Sequence, residues 1–237
     1  LMCARHKADP LGLRKGYNGS DMVCFVSSES HYSVVMAATV LGIGRNNIVS
    51  VGCDQNGKMR VDKLIEEIEF ASVNGQTPFC VIATSGTTVR GAFDPLREIS
   101  EVCENYDLWL HVDAAWGGSC LFSSKYRGLM DGVEFADSVC WDAHKMMGIP
   151  LVCSAFLIKN PSILRTVCSF TDAAHYLFQT ESSDVDLGRL SLQCGRRNDA
   201  LKLFLAWREK GDAGWARMVE SYMEMADYLE SLVEKTE

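Results

Sequence analysis

Short apolar runs alternate along the chain with longer segments whose apolar residues recur at helical spacing. The short runs are bounded by Gly, Asp, Asn or Pro, which is typical of strands buried in a sheet. The predicted strands are Met22–Val26, Ile48–Val51, Phe79–Thr84, Trp109–Asp113, Ser138–Trp141 and Ser154–Ile158. The predicted helices are Tyr32–Leu41, Val61–Ala71, Pro95–Asn105, Asn198–Lys210 and Ala213–Lys235. Strands separated by helices favour parallel pairing, so the pattern predicts an α/β fold with a mostly parallel sheet flanked by helices.

One of these helices has a specific start signal in the sequence. Asp94 immediately precedes Pro95, and an Asp followed by a Pro at the first helical position is a favourable helix start. We therefore expect the Asp94 carboxylate to cap the helix Pro95–Asn105.

Composition and charge narrow the class of protein. The chain has 237 residues, 47% of them hydrophobic, and a net charge of −8, which argues against a disordered chain and against a nucleic-acid partner. Its ten cysteines form no CxxC pair, so no metal site is predicted and free thiols in a reducing compartment are expected. The sequence shows no leader-like apolar segment and no apolar span long enough for a membrane. These features predict a soluble, cytoplasmic protein without a membrane partner.

Polar clusters follow four of the predicted strands, at the edge of a parallel sheet where ligands bind. Taken singly, each has a plain interpretation: Asp113 as a turn former, Lys145 as a surface residue, Thr84 in a hydroxyl-rich turn, and His31 as a cap or core histidine. Together they suit pyridoxal phosphate, because a desolvated lysine can form a Schiff base with its aldehyde. An aspartate can keep the pyridine nitrogen protonated, so that the ring accepts electrons.

The order and spacing of these motifs resemble one enzyme family over essentially the whole chain. The matching segments are HYS at 31–33, ATSGTTV at 83–89 with GAFDP at 91–95, HVDAAWGG at 111–118, HKMM at 144–147, YLFQ at 176–179 and QCGRR at 193–197. The sequence is similar to the group II pyridoxal-phosphate-dependent amino acid decarboxylases, within them to the glutamate/cysteine-sulfinate decarboxylase branch. The resemblance implies a fold-type I large domain, here truncated at both ends.

The resemblance also implies roles for individual residues. Lys145 would bind the cofactor aldehyde, and Asp113 would pair with the pyridine nitrogen. His31 and Ala115 would pack on the two ring faces, His144 would contact the phosphate, and Thr84 would lie near the 3′ oxygen. Tyr176, in a mobile loop, would return a proton to Cα after carbon dioxide leaves. The implied reaction is decarboxylation of an acidic L-amino acid: glutamate, cysteine sulfinate or aspartate. The implied assembly is a homodimer.

The resemblance further implies a domain division and leaves two matters open. Residues 1–211 would form an incomplete cofactor-binding domain, and residues 212–237 a helix leading toward a C-terminal small domain. Asp142 stands where many relatives have Asn, and because its carboxylate would repel a phosphate unless paired, we do not assign it to the site. The alternatives are another fold-type I enzyme, such as an aminotransferase or lyase, and a non-catalytic fragment or interaction module. A nucleotide-binding fold is disfavoured because Gly42-Ile43-Gly44 lacks a third glycine.

Overall fold

A six-stranded sheet forms the centre of the protein. The computed structural model describes residues 1–17, 21–169 and 187–235. The strands are β1 (Met22–Ser27), β2 (Ile48–Val51), β3 (Thr77–Thr84), β4 (Trp109–Asp113), β5 (Ser138–Asp142) and β6 (Ser154–Ile158), in the spatial order β2-β1-β3-β4-β5-β6. Strands β1 to β5 are parallel to one another, and β6 is antiparallel to β5. The predicted α/β fold with a mostly parallel sheet is confirmed.

Helices connect most of the parallel strands, although β4 and β5 are parallel with only 3-10 helices between them. The α-helices are α1 (Met2–Ala8), α2 (Gly12–Lys15), α3 (Ser33–Val40), α4 (Val61–Val73), α5 (Leu96–Asn105), α6 (Pro161–Cys168) and α7 (Asp199–Glu234). Short 3-10 helices occur at Arg45–Asn47, Gly117–Phe122, Arg127–Met130, Val133–Phe135 and Leu187–Leu190. Helices α3, α4 and α5 lie in the crossovers that connect the parallel strands β1 to β4. No α-helix separates β5 from β6, and the chain returns there as an antiparallel edge strand.

Apolar residues fill both faces of the sheet. On one face, Val23 and Phe25 of β1 pack in a cluster with Leu64 of α4 and Ile99 of α5. The intervening residue of β1, Cys24, belongs to a second cluster on the other face, formed with α1, α3 and α6. The central strand β1 is therefore buried along its whole length, as expected for a parallel sheet covered on both sides.

The long C-terminal helix α7 is bent at one residue. The sequence predicts two helices separated by a short break, and the structure shows that break: α7 consists of two helical segments joined at a kink, where Gly211 has φ 61° and ψ 175°. Glycine tolerates this backbone conformation because it has no Cβ. Beyond the bend, Trp215 is fully buried in a cluster with Ala143 and Met147. This contact connects α7 to the turn that follows β5. The predicted division at residue 211 stays a prediction.

The predicted cap of α5 is wrong. The helix begins at Leu96 with Pro95 at the N-cap position and has no side-chain cap. The Asp94 carboxylate instead turns inward and accepts hydrogen bonds from the backbone amides of Met59 and Thr84, each at 2.7 Å. Buried amides need an acceptor more than the exposed first turn of a helix does, because water cannot replace it there.

Among the described residues, no helix combines the length and the apolar character that a membrane crossing requires.

Candidate functional site

Three neighbouring strands end side by side at one edge of the sheet. Thr84 at the end of β3 pairs with Asp113 at the end of β4, and Asp113 pairs with Cys140 near the end of β5. A cavity of about 400 Å³ opens beyond this edge. It is lined by His31, Thr84, Gly86, Thr87, Thr88, Gly91, Asp113, Ala115, Trp116 and Lys145. The structure thus brings together five residues that the sequence predicts as cofactor ligands.

A second cavity adjoins the first and shares four of its lining residues. Its volume is about 430 Å³, and His31, Asp113, Ala115 and Lys145 line both cavities. The second cavity reaches α1 and α3, and its polar lining includes Ser33, His111, Cys140 and Asp142. The shared residues therefore lie at the boundary between two spaces, one beside β3 and one beside β5.

Asp113 is held in place by the loop that follows it. The backbone amide of Ala115 donates a hydrogen bond to Asp113 Oδ1 at 3.1 Å. The carboxylate lines both cavities, so it can face a cationic N–H group of a bound molecule. Ala115 lines the same spaces, and its small side chain leaves room for a ring to approach.

Thr84 offers a hydroxyl that the described residues leave unused. Thr84 Oγ1 and Ser85 Oγ are buried and have no hydrogen-bond partner in the described part of the chain. Buried hydroxyls normally have a partner, so an unpaired one that lines a cavity fits a site for a polar ligand. The backbone amide of Thr84 is meanwhile held by Asp94. The backbone of Thr84 is therefore fixed, whereas its hydroxyl has no partner among the described residues.

The loops after β3 and β4 approach each other through glycines. The backbone amide of Gly117 donates to the carbonyl oxygen of Ser85 at 3.0 Å. A Cβ at Gly117 would lie 2.5 Å from that oxygen, and a Cβ at Gly86 would lie 2.9 Å from the Gly117 nitrogen. Any side chain at either position would push the two loops apart. The glycines therefore keep the Thr84 and Asp113 loops at the spacing that the first cavity requires.

His31 lies at the turn between β1 and α3. The Ser33 backbone amide donates to His31 Nδ1 at 3.3 Å, which places the proton of a neutral ring on Nε2. The ring of Tyr32 lies 4.3 Å from the His31 ring, measured between centroids. His31 lines both cavities, so its ring is available to a flat ligand there.

The turn after β5 places Lys145 and His144 differently. Lys145 lines both cavities, whereas His144 lines neither. His144 Nδ1 lies 2.9 Å from the carbonyl oxygen and 3.1 Å from the amide nitrogen of Cys153. The predicted contact of His144 with a phosphate therefore stays a prediction. Tyr176 lies outside the described residues, and its role also stays a prediction.

Three residues of this region were not identified from the sequence as functional. Asp142 Oδ2 lies 3.5 Å from Lys145 Nζ, so the carboxylate that we left unassigned forms an ion pair with the candidate lysine. Asp94 holds the backbone of Thr84. His111 lines the second cavity and contacts Ser138 Oγ at 2.9 Å through Nδ1. The two-residue spacing between His111 and Asp113 was the available signal, because alternate strand residues share a face.

Burial keeps two groups of the second cavity neutral. It lowers the pKa of His111 to about 3, so that the imidazole carries no charge near neutral pH. Burial raises the pKa of Cys140 to about 12, with the nearby Asp142 and Asp113 carboxylates adding to the effect. The other ionisable side chains of this lining are His31, Asp113, Asp142 and Lys145.

The chain has clear relatives among known proteins. Residues 2–237 match the family model described as "Pyridoxal-dependent decarboxylase conserved domain". "Acidic amino acid decarboxylase GADL1" of Bos taurus is 44% identical over 237 residues, which are 99% of this chain and 46% of that protein.

Solved structures share the fold as well. A crystal structure of mouse CSAD superposes with a TM-score of 0.92 at 40% identity, over 99% of this chain and 49% of that one. Oryza sativa TDC with PLP and tryptamine has a TM-score of 0.89 at 27% identity, over 98% of this chain and 48% of that one. The chain spans about half the length of the relatives it matches.

Proposed function

The chain belongs to the pyridoxal-dependent decarboxylase family, and from this premise we propose that it binds pyridoxal phosphate and decarboxylates an acidic L-amino acid. One observation carries the proposal. Lys145, the Asp113 carboxylate and the unpaired Thr84 hydroxyl line a single cavity at the carboxyl edge of the sheet. An amine for an aldehyde, an anion for a cationic ring nitrogen and a hydroxyl for a polar substituent are the groups that this cofactor requires.

We assign each residue a role according to its position. Lys145 supplies the amine that binds the cofactor aldehyde, and Asp113 keeps a proton on the pyridine nitrogen. His31 and Ala115 hold the ring between them, and Thr84 binds the ring oxygen. When bound, pyridoxal phosphate supplies an electron sink for the pair of electrons left at Cα by departing carbon dioxide. We assign the phosphate contact to His144 and the return of a proton to Cα to Tyr176, both on the family resemblance.

The acidic substrate rests on sequence similarity. The Bos taurus relative is named an acidic amino acid decarboxylase, and its identity of 44% exceeds the 27% of the Oryza sativa structure that holds tryptamine. We propose glutamate, cysteine sulfinate or aspartate as the substrate.

Location and assembly complete the proposal. We propose a cytoplasmic protein, supported by ten cysteines that are all free. We also propose a homodimer, supported by the family resemblance. Light scattering after size-exclusion chromatography tests this assembly: twice the mass of one chain supports it, and a single-chain mass contradicts it.

A substrate panel tests the proposed reaction. The chain is incubated with pyridoxal phosphate and each of glutamate, cysteine sulfinate, aspartate and tryptophan, and released carbon dioxide and keto acid are measured. We expect carbon dioxide from at least one acidic substrate and none from tryptophan. Keto acid without carbon dioxide would identify an aminotransferase. No turnover of any substrate despite bound cofactor would favour the non-catalytic alternative.

A further inference from the structure

The turn after β5 gathers an anion and two basic side chains, of which Asp142 and Lys145 line the second cavity and His144 does not. Asp142 Oδ2 lies 3.5 Å from Lys145 Nζ and 3.7 Å from His144 Nε2. The side chains of Asp142 and His144 are 14% and 12% exposed, whereas that of Lys145 is 38% exposed. Lys145 is therefore the accessible member of the group, and Asp142 is the buried anchor.

The backbone fixes Asp142 where it can act on Lys145. Its amide donates to the carbonyl oxygen of Ala115 at 3.1 Å, and its own carbonyl accepts from the Lys145 amide at 3.0 Å. The three-residue spacing brings both side chains to the same side of this tight turn. The carboxylate is thus tied to the loop after β4 and cannot follow Lys145 far into the cavity.

Few other charged side chains surround Lys145. Within the described part of the chain, it is the one lysine or arginine that lines either cavity. The carboxylates facing these spaces are Asp113 and Asp142, and the neighbouring imidazoles are His31, His111 and His144. His111 is neutral, and a partly buried ion pair is screened less by salt than a pair on the surface. Of these carboxylates, Asp142 is the one that forms an ion pair with Lys145.

We propose that Asp142 is a positioning residue that holds the Lys145 ammonium at the cavity wall and slows its reaction with electrophiles until a ligand displaces the carboxylate. The inference rests on the proposed function, in which Lys145 captures a carbonyl compound. An amine attacks only with a free lone pair, so the ammonium must first leave Asp142 and release a proton to solvent. Replacing the carboxylate by an uncharged amide of the same size removes this restraint.

The chain offers a matched ion pair as a control. Asp199 Oδ1 lies 2.7 Å from Lys202 Nζ with the same three-residue spacing, and both side chains are more than a quarter exposed. This pair lines neither of the two cavities. Lys202 Nζ also donates to the backbone carbonyl oxygens of Pro150 and Val152, at 2.9 Å and 3.0 Å. The variant Asp199→Asn therefore reports what the loss of an ion pair does to a lysine that keeps other partners. It should leave Lys145 unaffected.

Limited acetylation of the cofactor-free chain tests the proposal without any cofactor. Acetic anhydride at limiting concentration acylates each neutral amine, with acetate as the leaving group and the amine proton passing to solvent. Peptide mass spectrometry gives the rate at Lys145 relative to the exposed Lys15 in the same molecule, because no variant of the series removes a partner of Lys15. We expect Asp142→Asn to raise this ratio about fivefold. Asp142→Glu should keep it within about twofold of the parent value, because the charge remains.

The variants give outcomes that support or overturn the proposal. An unchanged ratio in Asp142→Asn would overturn it. An equal increase in Asp142→Asn and Asp142→Glu would also overturn it, since shape rather than charge would then control Lys145. The acetylation rate of Lys145 could also rise as much in Asp199→Asn as in Asp142→Asn. Such a result would show a general change in the chain and would contradict a specific role of Asp142.

A second arm connects the inference to the cofactor. The rate of capture of pyridoxal phosphate and of pyridoxal, which lacks the phosphate, is measured by borohydride reduction of the C=N bond to Lys145. We expect Asp142→Asn to accelerate both captures by a similar factor. Acceleration of pyridoxal phosphate alone would show that Asp142 repels phosphate and would overturn a role on Lys145. Faster acetylation without capture of either aldehyde would support the inference and contradict the proposed function.

Discussion

Two aspartates near the same edge of the sheet differ in their partners: one contacts backbone amides and the other contacts side chains. Asp94 is 3% exposed and its carboxylate accepts two backbone amides, whereas Asp142 contacts the side chains of Lys145 and His144 at the wall of a cavity. Burial raises the pKa of Asp94 to about 6, although the two amide hydrogen bonds oppose the shift. Asp94 therefore shapes the loop that carries Thr84, whereas Asp142 pairs with the lysine to which we assign the cofactor aldehyde.

The largest effect that separates the two aspartates is on stability. Asp94→Ala leaves the buried amides of Met59 and Thr84 without an acceptor, and we expect the free energy of unfolding to fall by about 3 kcal/mol. Urea denaturation measures this loss. The control is Asp54→Ala, because the exposed Asp54 carboxylate also accepts two backbone amides, from Asn56 and Lys58. Water can replace that acceptor, so a loss as large as that of Asp94→Ala would contradict the comparison.

The pH dependence of stability gives the next largest effect. Because the pKa of Asp94 is raised from 3.8 to about 6, the folded chain binds more protons than the unfolded chain between these values. The stability that comes from protonation of Asp94 in the folded chain is therefore fully present below pH 4 and is lost as pH rises through about 6, by about 3 kcal/mol. Unfolding free energies at pH 4 to 7 should fall more steeply in the parent than in Asp94→Asn. Parallel curves would show that Asp94 is not the titrating group.

Strand positions and strand ends follow from the sequence, whereas side-chain directions at those ends do not. The apolar runs predict β2, β4 and β6 with their observed bounds, and so place Asp113 at the sheet edge. The local pattern around Asp94 favours a helix cap. The carboxylate instead points to the backbone amide of Met59, thirty-five residues earlier, and accepts a hydrogen bond from it. Likewise, no local signal shows that His144 turns to Cys153 while Lys145 faces the cavity. Such choices depend on contacts between distant segments.

Two threonines of the same loop sharpen the distinction between a structural and a ligand-binding group. Thr84 Oγ1 has no partner among the described residues, whereas Thr87 Oγ1 accepts from the Ala92 amide at 3.0 Å. Thr84→Val should weaken binding of pyridoxal phosphate about tenfold and leave stability nearly unchanged. Thr87→Val should instead lower stability by about 1 kcal/mol. Cofactor titration and urea denaturation of both variants check this, and a reversed pattern would contradict the assignment of Thr84.

The smallest effect is expected for the stability of Asp142→Asn. A partly exposed ion pair contributes at most about 1 kcal/mol, so urea denaturation should give a change within that limit. Together with the predicted rise in Lys145 reactivity, this result would place Asp142 among the residues that control chemistry. A loss comparable to that of Asp94→Ala would show that both aspartates serve the fold.

Covalent capture of pyridoxal phosphate tests the central claim most directly. The chain is incubated with the cofactor and reduced with borohydride, and the modified peptide is identified by mass spectrometry. The structure predicts modification at Lys145 in the parent and in the control Lys202→Ala, and its loss in Lys145→Ala. Two results would contradict the proposed site. One is that Lys145→Ala is modified with the same yield as the parent. The other is that the parent is modified only at lysines outside the two cavities.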